Sequence, residues 1–135
     1  MITKPFSPEL YDVNDDAKEL VIHWLGLNGI QAWVNPDQYG IDLLSKDVQY
    51  EVEVKHNWNG DTFPFETVHL PGRKMKFAND LSLFVMLNHE RTHAMLISGA
   101  KVKQSEVLTK DTIYTKDEQF IVVDVSDCKV VQIGR

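Results

Sequence analysis

Apolar residues recur along this chain with two different periods, and the change of period divides the sequence into elements. Over residues 15–27 they recur every three or four positions, at Ala17, Leu20, Val21, Trp24 and Leu25. This spacing predicts an amphipathic helix with one apolar stripe. Asn14-Asp15-Asp16 are suitable capping residues at its start, and Asn28-Gly29 is a typical stop.

A second period, of two residues, begins near residue 50. Val52 and Val54 fall on one face of the predicted strand, and Glu51, Glu53 and Lys55 fall on the other. The preceding segment, residues 39–44, is mostly apolar but carries Asp42, and a polar turn at residues 45–47 separates the two. The pattern predicts a hairpin whose two polar faces converge.

The rest of the chain adds further strands and short helices. Residues 81–87 and 94–98 are predicted to be apolar strands, the basic run 73–78 is predicted to start a helix, and residues 101–108 are expected to form a short helix. Residues 119–125 and 129–133 are expected to form a closing hairpin. This order of elements predicts an α/β fold with a central mixed sheet flanked by helices, in one domain spanning residues 1–135.

The polar faces of the predicted hairpin bring together three carboxylates and one fixed ammonium group. Asp42 and Glu53 supply oxygen ligands of the kind that Mg²⁺ prefers, and Lys55 supplies a cation beside them. Glu51 lies on the same face as a supporting carboxylate or a ligand of a second metal ion. A catalyst of phosphodiester hydrolysis has to neutralise negative oxygens and activate water, so this pocket suits that reaction.

From about residue 17 to residue 100 the arrangement resembles the PD-(D/E)XK nuclease superfamily, with Asp42, Glu53 and Lys55 in the motif positions. The resemblance implies a restriction-endonuclease-like core and a Mg²⁺- or Mn²⁺-dependent DNA endonuclease. Asp42 and Glu53 would bind the metal, and Lys55 would orient or deprotonate the attacking water. Ile41 stands where the motif has proline. Glu19 lies opposite the apolar stripe, so no acidic ligand is assigned to the first helix.

The small size is similar to that of phage-borne and junction-resolving members. Two alternatives to the nuclease hypothesis stay open. One is a catalytically silent nuclease-like module that binds nucleic acid or a protein through the same face. The other is a zinc hydrolase, because His89-Glu90-Arg91-Thr92-His93 fits the H-E-x-x-H pattern. That pattern needs a helix, whereas its apolar flanks predict strand, turn and strand.

The charge distribution bears on the partner. The chain has a net charge of −6, but residues 1–70 carry 4 basic against 12 acidic residues, and residues 71–116 carry 8 against 4. Arg73, Lys74 and Lys76 are therefore candidate phosphate contacts, with Trp58 as a candidate base-stacking residue, and DNA is the expected partner. A double-strand cut needs two sites, so a homodimer is one expectation and nicking by a monomer is the other.

The composition narrows the remaining classes. One cysteine, Cys128, allows neither an internal disulfide nor a cysteine-rich zinc site. The sequence contains neither an apolar run of membrane-spanning length nor a charged and then apolar leader. The expected location is the cytoplasm, or the host cytoplasm if the protein is phage-encoded.

Overall fold

The computed structural model describes residues 8–110 and 118–134, which form a layered α/β structure. A long helix, α1 (Pro8–Leu27), covers one face of a six-stranded sheet. A three-stranded sheet and a short helix, α2 (Gly99–Gln104), cover the other face. The predicted α/β class with a mixed sheet is confirmed, although a second sheet takes up much of the face where a helix was expected.

The six-stranded sheet contains one parallel pair at its centre. Its strands are β1 (Ala32–Val34), β2 (Leu43–Ser45), β3 (Gln49–Val54), β5 (Ser82–Leu87), β6 (His93–Ser98) and β9 (Lys129–Gln132), in that spatial order. Only β3 and β5 run parallel, and the other neighbours are antiparallel. β5 is apolar along almost its whole length because both of its faces are covered.

The second sheet lies within the connection from β3 to β5 and in the C-terminal third. It is antiparallel and consists of β4 (Thr67–Pro71), β7 (Glu106–Lys110) and β8 (Glu118–Asp124), with β8 in the middle. A 3₁₀ helix, Gly72–Phe77, follows β4 and leads towards β5. These elements place the basic run of residues 73–76 over the polar face of β3, since Lys74 contacts Glu51.

Two apolar cores lie on the two faces of the six-stranded sheet. On the α1 side, Val21 and Leu25 pack against Tyr50, Val85 and Leu87. On the other side the core joins the two sheets and α2, through Trp58, Leu70, Phe84, Met86, Met95, Ile97, Val102 and Ile121. Each of the larger side chains contributes about 1.5–3 kcal/mol on burial.

Three element predictions need correction. Helix α1 begins at Pro8 rather than near residue 15, so residues 14–16 lie inside the helix and do not cap it. Helix α2 ends at Gln104, and β-branched residues then favour strand β7 where the helix was expected to continue. Strands β8 and β9 do not form a hairpin, because a 3₁₀ turn at Val125–Asp127 sends them into different sheets.

The junction between β6 and α2 has no room for a side chain at Gly99. A Cβ there would lie 1.9 Å from Ser82 Oγ and 2.4 Å from the carbonyl oxygen of Asn79. Because that carbonyl belongs to the backbone, Gly99→Ala is expected to lower the free energy of unfolding by about 2 kcal/mol or more. At Gly26 in α1 a Cβ would meet nothing within 4 Å. Gly26→Ala should therefore stabilise the protein by about 0.5 kcal/mol, through helix propensity.

Urea unfolding of the two variants, side by side with the native chain, measures this difference. Equal midpoints for Gly99→Ala and the native chain would contradict the packing described at this junction.

Candidate active site

The polar face of β3 turns towards the second sheet, and its apolar face turns towards α1. Tyr50, Val52 and Val54 pack with the α1 core, as the alternation predicts. Glu51 lies on the opposite face, near the centre of the six-stranded sheet, and only 4% of its surface is exposed. A charge in such a place requires a partner of opposite charge.

Asp42 stands where β2 separates from β3. The ladder between the two strands pairs Leu43 with Tyr50 and does not extend to the next residues. The Asp42 carboxylate takes the place of the missing strand partner, because its Oδ2 accepts a hydrogen bond of 2.9 Å from Val52 N. Asp42 N in turn donates to Glu51 Oε1 over 3.2 Å. The predicted convergence of the two polar segments is therefore present as direct hydrogen bonds.

A cavity of about 350 Å³ opens at this separation, and we call it the carboxylate cavity. Its charged lining residues are Lys18, Asp42, Glu53, Arg73 and Lys74, and Ala17, Val52 and Val54 complete the wall. The cavity lies between α1, the free edge of β3 and the 3₁₀ helix. It collects the two predicted metal ligands and two of the three predicted basic residues.

The backbone of β3 also contributes an oxygen to this cavity. Lys55 N donates to Leu87 O on β5, at 2.8 Å, and along a strand the peptide groups that face one neighbour alternate with those that face the other side. Val52 N accordingly faces the β2 side, where it meets Asp42. By the same alternation the Val54 carbonyl faces that side, beyond the end of β2, and Val54 is one of the residues that line the cavity. This carbonyl could serve as an oxygen ligand beside the two carboxylates.

Glu51 and Lys74 form an ion pair in the interior. Lys74 Nζ donates to Glu51 Oε2, and both side chains are largely shielded from solvent. Burial raises the pKa of Glu51 from its ordinary value near 4.5 to about 7, and the Lys74 ammonium opposes this rise while Asp42 adds to it. Lys74 was predicted to contact phosphates. The structure instead places its ammonium inside the site, as the counter-charge of Glu51.

Lys55 lies beside Glu53 but points towards β4. Its Nζ lies 3.1 Å from Glu53 Oε2 and donates to the carbonyl oxygen of His69 over 2.6 Å. Glu53 Oε2 is buried without a hydrogen bond from the described residues, because the contact with Lys55 is close but not aligned. Glu53 thus lies in the same cavity lining as Asp42 and is ion-paired with Lys55.

Lys55 borders a second cavity, of about 270 Å³, which we call the aromatic cavity. Phe63, Phe65, Thr67 and His69 contribute to its wall. Phe65 is exposed, and its ring meets the Phe63 ring edge-on at a centroid distance of 5.6 Å. Phe63, Phe65, Thr67 and His69 are not among the predicted site residues, so this cavity was not predicted.

Two of the remaining candidate DNA contacts are on the surface, and one is not. Arg73 and Lys76 are exposed, and Lys76 Nζ lies 5.0 Å from the centre of the Phe77 ring. The prediction that Trp58 stacks on a base is wrong for this structure, because Trp58 is 0% exposed and sits in the core between the sheets. Its ring packs edge-on against Phe63.

The first helix contributes Lys18, which sequence analysis missed. Its Nζ lies 3.5 Å from Asp42 Oδ1, and Glu19 is exposed, as predicted. At 100° per residue Lys18 lies within about 60° of Val21 and Leu25, so it belongs to the buried side of α1. The sequence does carry a signal for this residue, because a lysine on the apolar stripe of a helix indicates a buried ion pair.

The H-E-x-x-H segment is not helical. Its first four residues, 89–92, form the turn between β5 and β6, and His93 is the first residue of β6. The Glu90 carboxylate accepts a hydrogen bond of 2.7 Å from Gly60 N, and His93 Nδ1 lies 2.9 Å from Thr92 Oγ1. The spacing of one helical turn that this zinc signature requires is therefore missing.

The raised pKa of Glu51 predicts a pH dependence of stability. The folded protein holds this proton more tightly than the unfolded chain, so the free energy of unfolding should fall as pH rises from about 4.5 to about 7. For this one group the fall amounts to at most about 3 kcal/mol. Glu51→Gln should remove this part of the pH profile, and Glu66→Gln, on an exposed residue, should leave it in place.

Urea unfolding between pH 4.5 and 7.5, in EDTA, measures these profiles. Parallel profiles for the native chain and Glu51→Gln would show that Glu51 titrates normally.

Three further observations concern metal ligands, membrane-spanning helices and related proteins. Within the described residues, no group of three or more His, Cys, Asp or Glu side chains is arranged to hold a metal ion. No helix in residues 8–110 and 118–134 is both long and apolar enough to cross a membrane. Comparisons of the chain with family models, with curated proteins and with solved structures gave no match. The carboxylate cavity itself is therefore the basis for a functional assignment.

Proposed function

We propose that this protein is a metal-dependent DNA endonuclease that hydrolyses phosphodiester bonds in the carboxylate cavity. The observation that carries the proposal is the separation of β2 from β3, which brings Asp42 and Glu53 to one cavity with Lys55 ion-paired to Glu53. The cofactor would be Mg²⁺ or Mn²⁺. We propose the cytoplasm as its location, or the host cytoplasm if the protein is phage-encoded.

The donor set fits a hard divalent cation. Asp42 and Glu53 offer carboxylate oxygens, the Val54 carbonyl faces the same cavity, and Glu53 Oε2 is buried without a hydrogen bond from the described residues. Oxygen ligands with vacant coordination sites left for water and phosphate are typical of Mg²⁺ sites. When bound, such an ion would neutralise phosphate charge and make a water molecule more acidic.

The protein's own cations would do the remaining work. Lys55 has three N–H donors, of which one binds His69 O and one faces Glu53, so a third can orient a water molecule or a phosphate oxygen. Arg73 is exposed at the cavity, where it can hold the DNA backbone. Lys76, on the same 3₁₀ helix, can contact a neighbouring phosphate.

The order of elements supports the resemblance to PD-(D/E)XK nucleases. A helix precedes an antiparallel run of three strands, the last of which carries Glu53 and ends just before Lys55, and a parallel strand follows after a crossover. This is an analogy of fold and carries no substrate preference. Cutting both DNA strands would require a homodimer, whereas a monomer would nick one strand.

A silent binding module is the second candidate, and one observation favours it. Lys18 pairs with Asp42, Lys74 with Glu51 and Lys55 with Glu53, so each of the three carboxylates already has a cation of the protein beside it. Because lysines of the protein neutralise these carboxylates, the same face can bind nucleic acid without a metal ion. Metal affinity separates the two candidates.

Nicking of supercoiled plasmid tests the endonuclease proposal. The native chain should nick in Mg²⁺ or Mn²⁺ and not in EDTA, and Lys55→Ala should lose about a hundredfold or more of the rate, since it removes a donor to developing charge. Lys46→Ala, on an exposed residue of the β2–β3 turn, should nick like the native chain. Equal rates for the native chain and Lys55→Ala would refute the assignment.

Titration with Mn²⁺ in a calorimeter tests the metal site. Asp42→Ala should abolish binding because it removes a ligand, and Asp47→Ala, on the nearby exposed turn, should leave the isotherm unchanged. An identical isotherm for Asp42→Ala and the native chain would remove the metal-site claim. A native chain that binds DNA but neither binds Mn²⁺ nor nicks would be the silent module.

A further inference from the structure

Two imidazoles meet outside the carboxylate cavity, at the ends of the parallel strands β3 and β5. His56 lies in the turn after β3, and His89 lies in the turn after β5. Their Nδ1 atoms are 3.3 Å apart, and their rings are 5.5 Å apart at an angle of 66°. Both residues are exposed, so the pair is open to solvent.

The two turns form a common frame that holds the imidazoles together. His89 N donates to Trp58 O over 2.7 Å, which joins the two turns directly through the backbone. The fully buried Asn88 donates from Nδ2 to Gly60 O over 2.9 Å, and its Oδ1 accepts from Thr92 N over 2.8 Å. The close approach of His56 and His89 is therefore supported by hydrogen bonds on both sides.

The separation of the two nitrogens matches the bite of a tetrahedral zinc ion. With Zn–N bonds of 2.0–2.1 Å and a tetrahedral angle, two ligand nitrogens lie about 3.3–3.4 Å apart. A right angle, as in square-planar or octahedral sites, would bring them to about 2.8–3.0 Å. The same separation is also that of an N–H···N hydrogen bond between the two rings, which a zinc ion would replace.

We propose that His56 and His89 form a zinc site through their Nδ1 atoms, with water in the remaining positions. The zinc ion would link the turn that follows Lys55 to the turn that follows β5. Imidazole nitrogen is a preferred ligand of zinc, and both rings would bind it in the neutral form with their protons on Nε2, so the ion would take the place of the hydrogen bond between the two Nδ1 atoms.

This site differs from the H-E-x-x-H signature that the sequence suggested. Of that signature it uses His89 alone, because Glu90 is bound to Gly60 N and His93 lies beside Thr92. It is also separate from the carboxylate cavity, whose lining includes neither His56 nor His89. Zinc binding at His56 and His89 is therefore independent of nuclease activity in the carboxylate cavity.

Titration with ZnCl₂ at pH 7.5, on the full chain without an affinity tag and in excess Mg²⁺, tests the site. The native chain should bind one zinc ion per molecule. His56→Asn and His89→Asn should each lose this binding, whereas His93→Asn is the matched control and should retain it. Asp42→Ala should also retain it, which shows that the zinc ion is not in the carboxylate cavity.

Thermal unfolding supplies a second readout that does not depend on heats of binding. Zinc in excess should raise the Tm of the native chain and of His93→Asn, and leave that of His56→Asn unchanged, because only a ligand bound to the folded state stabilises it. Three results would overturn the inference: no zinc binding by the native chain, equal binding by His56→Asn, or loss of binding in His93→Asn but not in His56→Asn.

Discussion

A carboxylate buried on a central strand is the constraint around which this structure is arranged. Glu51 occupies a position where an apolar residue would ordinarily pack, with 4% of its surface exposed. An isolated charge in such a place costs several kcal/mol, so the surrounding elements must supply compensating groups. Lys74 supplies the charge, and Asp42 N supplies a hydrogen bond.

This requirement explains why the connection after β4 takes its observed form. The 3₁₀ helix Gly72–Phe77 lies where Lys74 can reach across to Glu51, and the same segment carries Arg73 to the rim of the carboxylate cavity. On the opposite side of the cavity Lys18 reaches Asp42 from α1. At the cavity, acidic side chains of the sheet segments thus form ion pairs with lysines of α1 and of the 3₁₀ helix. Glu53 and Lys55, from β3 and the residue after it, form a third ion pair.

The elements that were predicted correctly are those that a short stretch of sequence determines by itself. The alternation of β3 and the apolar runs of β5 and β6 were sufficient to locate those strands. The predicted hairpin also placed the polar face that carries Glu51 next to Asp42. Strand pairings between segments distant in sequence could not be predicted from such patterns. The sequences of β8 and β9 are typical of a hairpin, but the two strands pair with neighbours in different sheets.

Asp42, Glu53 and Lys55 could be predicted from the spacing of two adjacent strands, which is a local property. The ammonium groups of Lys18 and Lys74 come from distant segments, so neither the pairing of Lys18 with Asp42 nor that of Lys74 with Glu51 could be deduced from spacing. Trp58 was misjudged for a related reason, because only the second sheet determines that its loop closes over the core.

The parallel pairing of β3 with β5 has a consequence for how the protein acquires its site. The register joins Gln49 to Ser82 and Val54 to Leu87, so this pairing has to close a long loop before it gains any hydrogen bonds. The segment that supplies Lys74 and Arg73 lies inside that loop. During synthesis, a chain that ends before β5 carries the acidic residues of β3 without the sheet that buries them. The complete charge arrangement is therefore acquired late in folding, as a property of the finished topology and not of the hairpin alone.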